Sequence, residues 1–453
     1  MATTTTLNTS TNLTLIARGD PDYDRERTGW NLAIDHRPAL IALPSNESEV
    51  AAAVRLASER DLPIAVQATG HGQAIPANDA MLVNTSRLDR FEIDPATRSA
   101  WIEAGVKWER VIPEAARHRL APLVGSTPDV SAVGYLTGGG LPVLGRQFGF
   151  AANRVRSFRI VTADAQVRSV SPKRLLDLFW AVRGGKDNFG IVTSVSIELL
   201  PIDTILGGNL TFPGERAREV LQAWLAWTQV IGQDVSTSVA LVAMPGVGSE
   251  PGEFLVQVRI AYTGQVIHGE RQMAPLRDLG PMQDTVTEMP YTCIGDIHAD
   301  PPAPLPVREW GTLLRGLDES KVDGILEFFA RREGSSPGLL EIRLLGGALA
   351  EDPGLPSAIG HRDAAFSLLF ATMAGPGEPD AMPQATALLE RILAGHDMHA
   401  AFPNLLSSGN GHPEHTRRAY DPDAYTMLEA LKYAWDPANR FRLNHNILPA
   451  RPA

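Results

Sequence analysis

The 453-residue chain has almost no cysteine: Cys293 is the only one. An intrachain disulfide and a cysteine-rich zinc centre are therefore excluded, and the lone thiol is expected to serve as a small buried hydrophobe. Long apolar runs are missing as well. Nothing approaches the roughly 18 consecutive apolar residues of a membrane span, and the opening MATTTTLNTSTN has no basic region leading into an apolar stretch. A soluble, cytoplasmic protein is expected. Positive charge is in deficit, with 41 Lys and Arg against 52 Asp and Glu and a formal net charge of −11. Nucleic acid and anionic membranes are thereby disfavoured as main partners, because phosphate binding needs concentrated Lys and Arg.

What remains is a globular composition, 44% hydrophobic and 21% charged, on a chain long enough for two or three domains and a large buried ligand. From 36 to 66 the text reads strand, helix, strand: PALIALP, then SNESEVAAAVRLASERD behind a Ser/Asn cap, then LPIAVQA. Short strands follow in AMLVNTSRL, ATRSAWIEAGV and SFRIVTADAQVRSV, with ERVIPEAARHRL helical between them. Around Pro201 the pattern changes to an amphipathic helix, GERAREVLQAWLAWTQVIG, then strands TSVALVAMP and EFLVQVRIAYTG, a helix HGERQMAPLRDLG, and strands LLEIRLLGGAL and AAFSLLFATMAG. The tryptophans of LQAWLAW are expected in the core, and the proline-rich HADPPAPLPVREW is expected to be a loop. A last helix, from YDPDAYTMLEALKYAW, stops at Asp436 and Pro437 and leads into an extended tail. The expected architecture is α+β: residues 1–200, a second antiparallel-sheet domain with helices on one side over 201–405, and a returning helix and tail over 406–453.

Glycine marks three places where chemistry could sit. In VQATGHGQAI, residues 66–75, His71 stands between Gly70 and Gly72 just after an apolar strand; the turn could cradle a ligand or simply be tight. In GYLTGGGLPVLGRQFG, 134–149, three consecutive glycines suit a main chain lying against something flat or phosphorylated. The dinucleotide spacing G-x-G-x-x-G fails there at Val143, and a Walker loop lacks its Gly-Lys-Ser/Thr ending. A nucleotide held by another glycine-rich fold and a plain loop both remain open. The third cluster is FWAVRGGKDNFGIVTSVSIEL, 179–199.

Taken in order, the Gly-His turn, GSTPDVSAVGYLTGGG, LFWAVRGGKDNFGIVTS and the terminal DPANRFRLNHNI resemble FAD-linked oxidases of the vanillyl-alcohol-oxidase fold, in particular the berberine-bridge-enzyme-like branch. The likeness covers about residues 36–200 and 420–447. It implies a two-part FAD-binding domain of the PCMH type and a separate substrate domain. It further implies that Ala68, Thr69, Gly70, His71, Gly72 and Gln73 wrap the cofactor, with FAD bonded covalently through His71. Some relatives make a second flavin bond through a cysteine after Gly-Ser; Thr127 stands there beside Ser126, so single attachment is implied. Val130 matches a position lining the family's oxygen pocket, where valine leaves more room than isoleucine and favours oxidase behaviour. Gly138, Gly139, Gly140 and Leu141 match a loop along the cofactor, Ile191 and Val192 the segment near its adenine half, and Asn444 and Asn446 the tail that returns to the flavin.

The proton-handling residue is less evident. Many relatives carry a tyrosine in a Tyr-x-Asn segment; here AAFPNLL puts Phe402 in that place and keeps Asn404. Phenylalanine cannot act as a base, so the candidates move to the second domain: Glu341 and Arg343, which alternate onto one face of LLEIRLLGG, with Tyr291 and His298. The histidines of HPEH, 412–415, are expected in a loop without a metal, since Pro413 interrupts and no third ligand is evident. The implied activity is removal of hydride from a C–H next to an alcohol or amine of a small molecule, with dioxygen as acceptor. A dehydrogenase, an oxidative cyclase and an FAD-binding protein that has lost turnover are the alternatives, with a nucleotide-binding protein lacking flavin beyond them.

Overall fold

The computed structural model describes residues 12–72, 74–243, 253–330, 338–373, 381–406 and 411–451. The first sheet contains β1 (Thr14–Ala17), β2 (Leu40–Leu43), β3 (Ile64–Gln67) and β4 (Met81–Asn84) in the order β1-β2-β4-β3, with β2, β4 and β3 parallel. Parallel strands need a crossover, and helix Glu47–Glu59 supplies it. Its start is a reciprocal cap: the Asn46 side chain accepts from the Glu49 amide at 3.0 Å, while the Glu49 carboxylate accepts from the Ser45 amide at 2.8 Å. Val50, Ala53, Val54 and Ala57 are fully buried against the sheets.

A second sheet, of β5 (Phe91–Asp94), β6 (Ser99–Glu103), β7 (Val155–Val161), β8 (Val167–Val170) and β9 (Ile191–Glu198), is antiparallel in the order β5-β6-β9-β7-β8. Both sheets and helix Trp108–Ala116 share one core, which takes in the fully buried Trp108. Cys293 is half-buried and packs against this core.

The third sheet comprises β10 (Thr204–Pro213), β11 (Val235–Ala243), β12 (Leu255–Tyr262), β13 (Gln283–Asp284), β14 (Thr287–Pro290), β15 (Val307–Leu314), β16 (Gly338–Leu344) and β17 (Phe366–Met373). Its main path is β13-β10-β12-β11-β16-β17-β15, antiparallel throughout, with β14 pairing β10. Helices Ala217–Thr228, Val266–Arg277, Glu319–Ala330 and Met382–Ile392 bury Trp224, Met273, Phe329 and Leu389 against one face of it. The tryptophans of LQAWLAW are thus core, as their helical spacing indicates. Period-2 alternation does the rest: Leu340, Ile342 and Leu344 of β16 point to the helices, so Leu339, Glu341 and Arg343 point the other way. The α+β arrangement with helices on one side of an antiparallel sheet is therefore observed.

Two readings change. The stretch VREW is not loop but the start of β15, paired along its length with β17. HPEH opens a short helix, Pro413–Arg417, because a proline in the first turn needs no amide partner and its φ already suits a helix. Among the described residues, no helix is long and apolar enough to cross a membrane.

Candidate functional site

The turn after β3 is shaped by Gly70, whose φ is +79. A β-carbon there would meet Gly29 Cα at 2.5 Å and the Trp30 nitrogen at 3.0 Å, so only glycine lets the Gly29–Trp30 segment lie against the turn. The Trp30 amide donates to the Thr69 carbonyl at 2.8 Å, and the Trp30 indole stacks on the His71 ring with centroids 4.4 Å apart and planes 15° from parallel. Nothing in the sequence near position 71 pointed to a partner 41 residues earlier. His71 Nδ1 lies 2.8 Å from Thr69 Oγ1. Burial, aided by the charge of Lys107, pushes the His71 imidazole down to about 4, so the ring is neutral at neutral pH.

This turn opens onto a cavity of about 570 Å³ between the first two sheets and the third. Ala68, Thr69, Gly70, His71, Gly72, Ser126, Thr127, Val130, Leu141, Val192 and Asn444 all line it, as do Asn404, Glu341, Arg343 and His298. Gln73 lies outside the described residues.

The other expected residues are set back from the cavity. Ile191 is core, and Asn446 is buried without lining the cavity. Tyr291 is buried in the core with its hydroxyl donating to the Pro122 carbonyl. The three glycines give room rather than surface. At Gly138 the absent β-carbon makes space for the Asn404 amide. At Gly140, φ +64, a β-carbon would come within 2.7 Å of the Tyr135 ring, and one on Gly125 would meet the same ring at 3.1 Å. Tyr135 therefore slots between two glycines, lines the cavity, and carries a buried hydroxyl with no hydrogen-bond partner. Phe402 is buried edge-on against Phe150, 5.1 Å between centroids, off the cavity.

The sheet wall of the cavity is charged. Glu341 Oε1 accepts from Ser238 Oγ at 2.7 Å and Arg259 Nη1 at 3.1 Å, and Oε2 from Arg343 Nη2 at 3.1 Å. Burial alone would raise the Glu341 carboxyl, but Arg343, His298 and Arg259 together hold it well below the usual carboxylate range. His298 lies 3.3 Å from it; burial and the arginines keep that imidazole neutral, so the arginine charges are what fix Glu341 as an anion. Asp300, inside the proline-rich stretch and with no motif around it to mark it, also lines the cavity and accepts from Thr127 Oγ1 at 2.7 Å. Burial pushes its carboxyl up, yet the Arg259 charge and the Thr127 and Ser126 hydroxyls bring it below the ordinary value.

The tail closes one end. Asn188 Nδ2 donates to the His445 carbonyl at 3.0 Å and its Oδ1 accepts from the Ile447 amide at 2.9 Å. Asn444 and His445 thereby reach the cavity, with Asn444 Oδ1 and His445 Nδ1 buried and lacking hydrogen-bond partners. Lys186, at φ +53 in RGGKDNFG, lines the same end.

Comparison with known proteins places this geometry. Residues 38–171 match the family described as FAD binding domain. The chain is 28% identical to (R)-6-hydroxynicotine oxidase of Paenarthrobacter nicotinovorans across 95% of both sequences. The crystal structure of 6-hydroxy-D-nicotine oxidase from Arthrobacter nicotinovorans superposes with a TM-score of 0.85 at 25% identity, covering 96% of this chain and 98% of that one. A glucooligosaccharide oxidase from Acremonium strictum, whose FAD is described as 6-S-cysteinyl and 8α-N1-histidyl, shares the fold with a TM-score of 0.82 at 18% identity, covering 97% and 98%. Residues 38–171 thus carry an FAD-binding domain, and the chain as a whole is similar to FAD-linked oxidoreductases and shares the fold of the berberine-bridge-enzyme-like structures.

Proposed function

We propose that the protein is an oxidase that holds FAD covalently through His71 and takes hydride from a C–H next to an alcohol or amine of a small molecule, with dioxygen as the acceptor. The supporting observation is the single cavity in which the His71 turn, Thr127, Val130 and the Asn444 tail face the charged wall of the third sheet. Its residues suit a flavin dinucleotide. The volume is of the class that encloses a large ligand, the glycine turn lets a ligand reach the main chain, and Tyr135, Asn444 and His445 present buried polar atoms that await partners. The solved relative with an 8α-histidyl FAD supports assigning the attachment to His71.

When bound, FAD supplies the hydride acceptor and the route to dioxygen. The chain supplies position and charge. Arg343 and Glu341 offer a substrate hydroxyl or amine one donor and one acceptor side by side, at 3.1 Å from each other. Glu341 already accepts from three groups, so it orients better than it takes a proton. Asp300 is ionised and accepts from the Thr127 hydroxyl at Oδ2, and a carboxylate with so few donors on it keeps acceptor capacity toward the cavity. Val130, small and on the cavity wall, leaves room beside the cofactor.

Two measurements test this. Acid precipitation of the purified protein should leave yellow flavin in the pellet, and His71→Ala should release it; colour in the wild-type supernatant would refute covalent attachment. Protein reduced photochemically without air should be reoxidised promptly on mixing with oxygenated buffer, with hydrogen peroxide formed. Sluggish reoxidation would make the protein a dehydrogenase.

A further inference from the structure

Among the described residues, two buried polar atoms face each other without either making a hydrogen bond: His71 Nε2 and Asp129 Oδ1, 3.6 Å apart. Their side chains are 17% and 13% exposed. Asp129 is held in place from both sides. The Pro128 carbonyl accepts from the Glu109 amide at 2.7 Å and the Val130 carbonyl from the Trp108 amide at 3.1 Å, pinning the segment to the start of helix Trp108–Ala116. The imidazole is held equally firmly, by the Trp30 stack and by Thr69 at Nδ1. A carboxylate facing Nε2 selects the tautomer with the proton on Nε2, so that Nδ1 carries the lone pair and accepts from the Thr69 hydroxyl.

We propose that Asp129 takes the Nε2 proton of His71 as FAD is attached through Nδ1, the ring nitrogen that the 8α-N1-histidyl FAD of the glucooligosaccharide oxidase also uses. The inference rests on the reading that His71 is the attachment point. Attachment makes one bond, Nδ1 to the 8α carbon of the flavin, and breaks two, C8α–H and Nε2–H. The Nε2 proton goes to Asp129 and the C8α proton to solvent. The two electrons of the C–H bond enter the flavin ring, and dioxygen removes them, leaving with two protons as hydrogen peroxide. Burial raises the Asp129 carboxyl, against the pull of Lys107, which makes it a stronger proton acceptor than an exposed aspartate. A purely structural Asp129 would leave two unpaired atoms facing each other for no gain.

The test uses protein made in riboflavin-limited cells and then given FAD in air, with acid-precipitable flavin followed over time and the initial affinity read from flavin fluorescence. Asp129→Asn should bind FAD as the wild type does but attach it about 10²-fold more slowly, and Asp129→Glu should recover part of the rate. Asp129→Ala should be accelerated by added formate, while the wild type is not. Attachment by Asp129→Asn at the wild-type rate would overturn the proposal. If Asp129→Asn fails to hold FAD, the formate experiment decides, and absence of acceleration overturns it equally. A wild type that never attaches flavin, and so behaves like His71→Ala, would instead remove the reading on which the proposal rests.

Discussion

The side-chain amide of Asn404 occupies the space that a β-carbon at Gly138 would need, and from there its Nδ2 donates to the Tyr135 carbonyl at 2.8 Å. One contact thus joins the segment after the third sheet to the glycine loop of the FAD-binding half. Gly138→Ala should expel Asn404 from this slot and break the bond. Overpacking of this kind is worth about 1–3 kcal/mol, so the thermal midpoint should fall by several degrees. Asn404→Ala should leave more room and partly rescue the glycine variant; additive losses in the double variant would refute the coupling.

Glu341 holds the buried Arg259 and the half-buried Arg343. Removing it with Glu341→Ala leaves Arg259 and Arg343 facing each other uncompensated, and should destabilise the protein by about 3–5 kcal/mol. Glu341→Gln keeps the shape and loses the charge. Because the folded-state carboxyl lies well below its ordinary value, the stability it contributes is present above the unfolded pKa of about 4.3 and is lost as pH falls below that. The gap in melting temperature between wild type and Glu341→Gln should be full at pH 6–7 and narrow below about pH 5. A pH-independent gap would mean that the charge is not what matters.

The sequence is most readable where one period dominates. Helix Glu47–Glu59 has its cap and its apolar face written locally, and the alternation of LLEIRLL tells which residues share a face, though not that the face looks into a cavity. Strand β10 is not legible in the sequence because Gly207 and Gly208 interrupt its apolar pattern; both are there because neighbours leave no space, Met289 and Ile297 at the first and the Thr285 carbonyl at the second. Strand β15 was hidden by the prolines before it. Motif order located the His71 turn, Thr127 and Asn444. Trp30, Tyr135, Asp300 and His445 became visible only in three dimensions, since each owes its place to a partner distant in the chain. The glycine triplet shows the limit most directly: its residues matched a cofactor loop, yet their physical work is to admit Asn404 and Tyr135.

Glu309, half-buried on β15, lines the cavity opposite Lys186. Burial pushes its carboxyl up to about 7 in spite of the nearby lysine, and burial lowers Lys186 to about 8. A carboxyl raised on folding contributes stability that is complete below its unfolded pKa and is lost as pH rises through the folded value. The wild type should therefore lose on the order of 2 kcal/mol relative to Glu309→Gln between about pH 5 and 8. Thermal midpoints of the two proteins across that range check this; parallel curves would place Glu309 in a solvated setting.

The C-terminal tail depends on one buried cation. Lys432 Nζ donates to the Asn188 carbonyl at 2.7 Å, to Asp436 at 2.8 Å and to the Phe441 carbonyl at 2.9 Å, and both charged side chains are fully buried. The three partners belong to the RGGKDNFG segment, the end of helix Pro422–Trp435 and the start of the tail, so the ammonium ties together the pieces that present Asn444 and His445. Lys432→Met fills the space but leaves Asp436 unpaired and two carbonyls unsatisfied, a loss of about 3–5 kcal/mol. The double variant Lys432→Met/Asp436→Asn removes the orphaned charge and should regain part of that. Limited proteolysis should cut the single variant after residue 436 well before the wild type, and its flavin fluorescence should rise as the tail lets go of the cavity. If cleavage and fluorescence stay at wild-type levels, the tail is held by the Asn188 contacts alone.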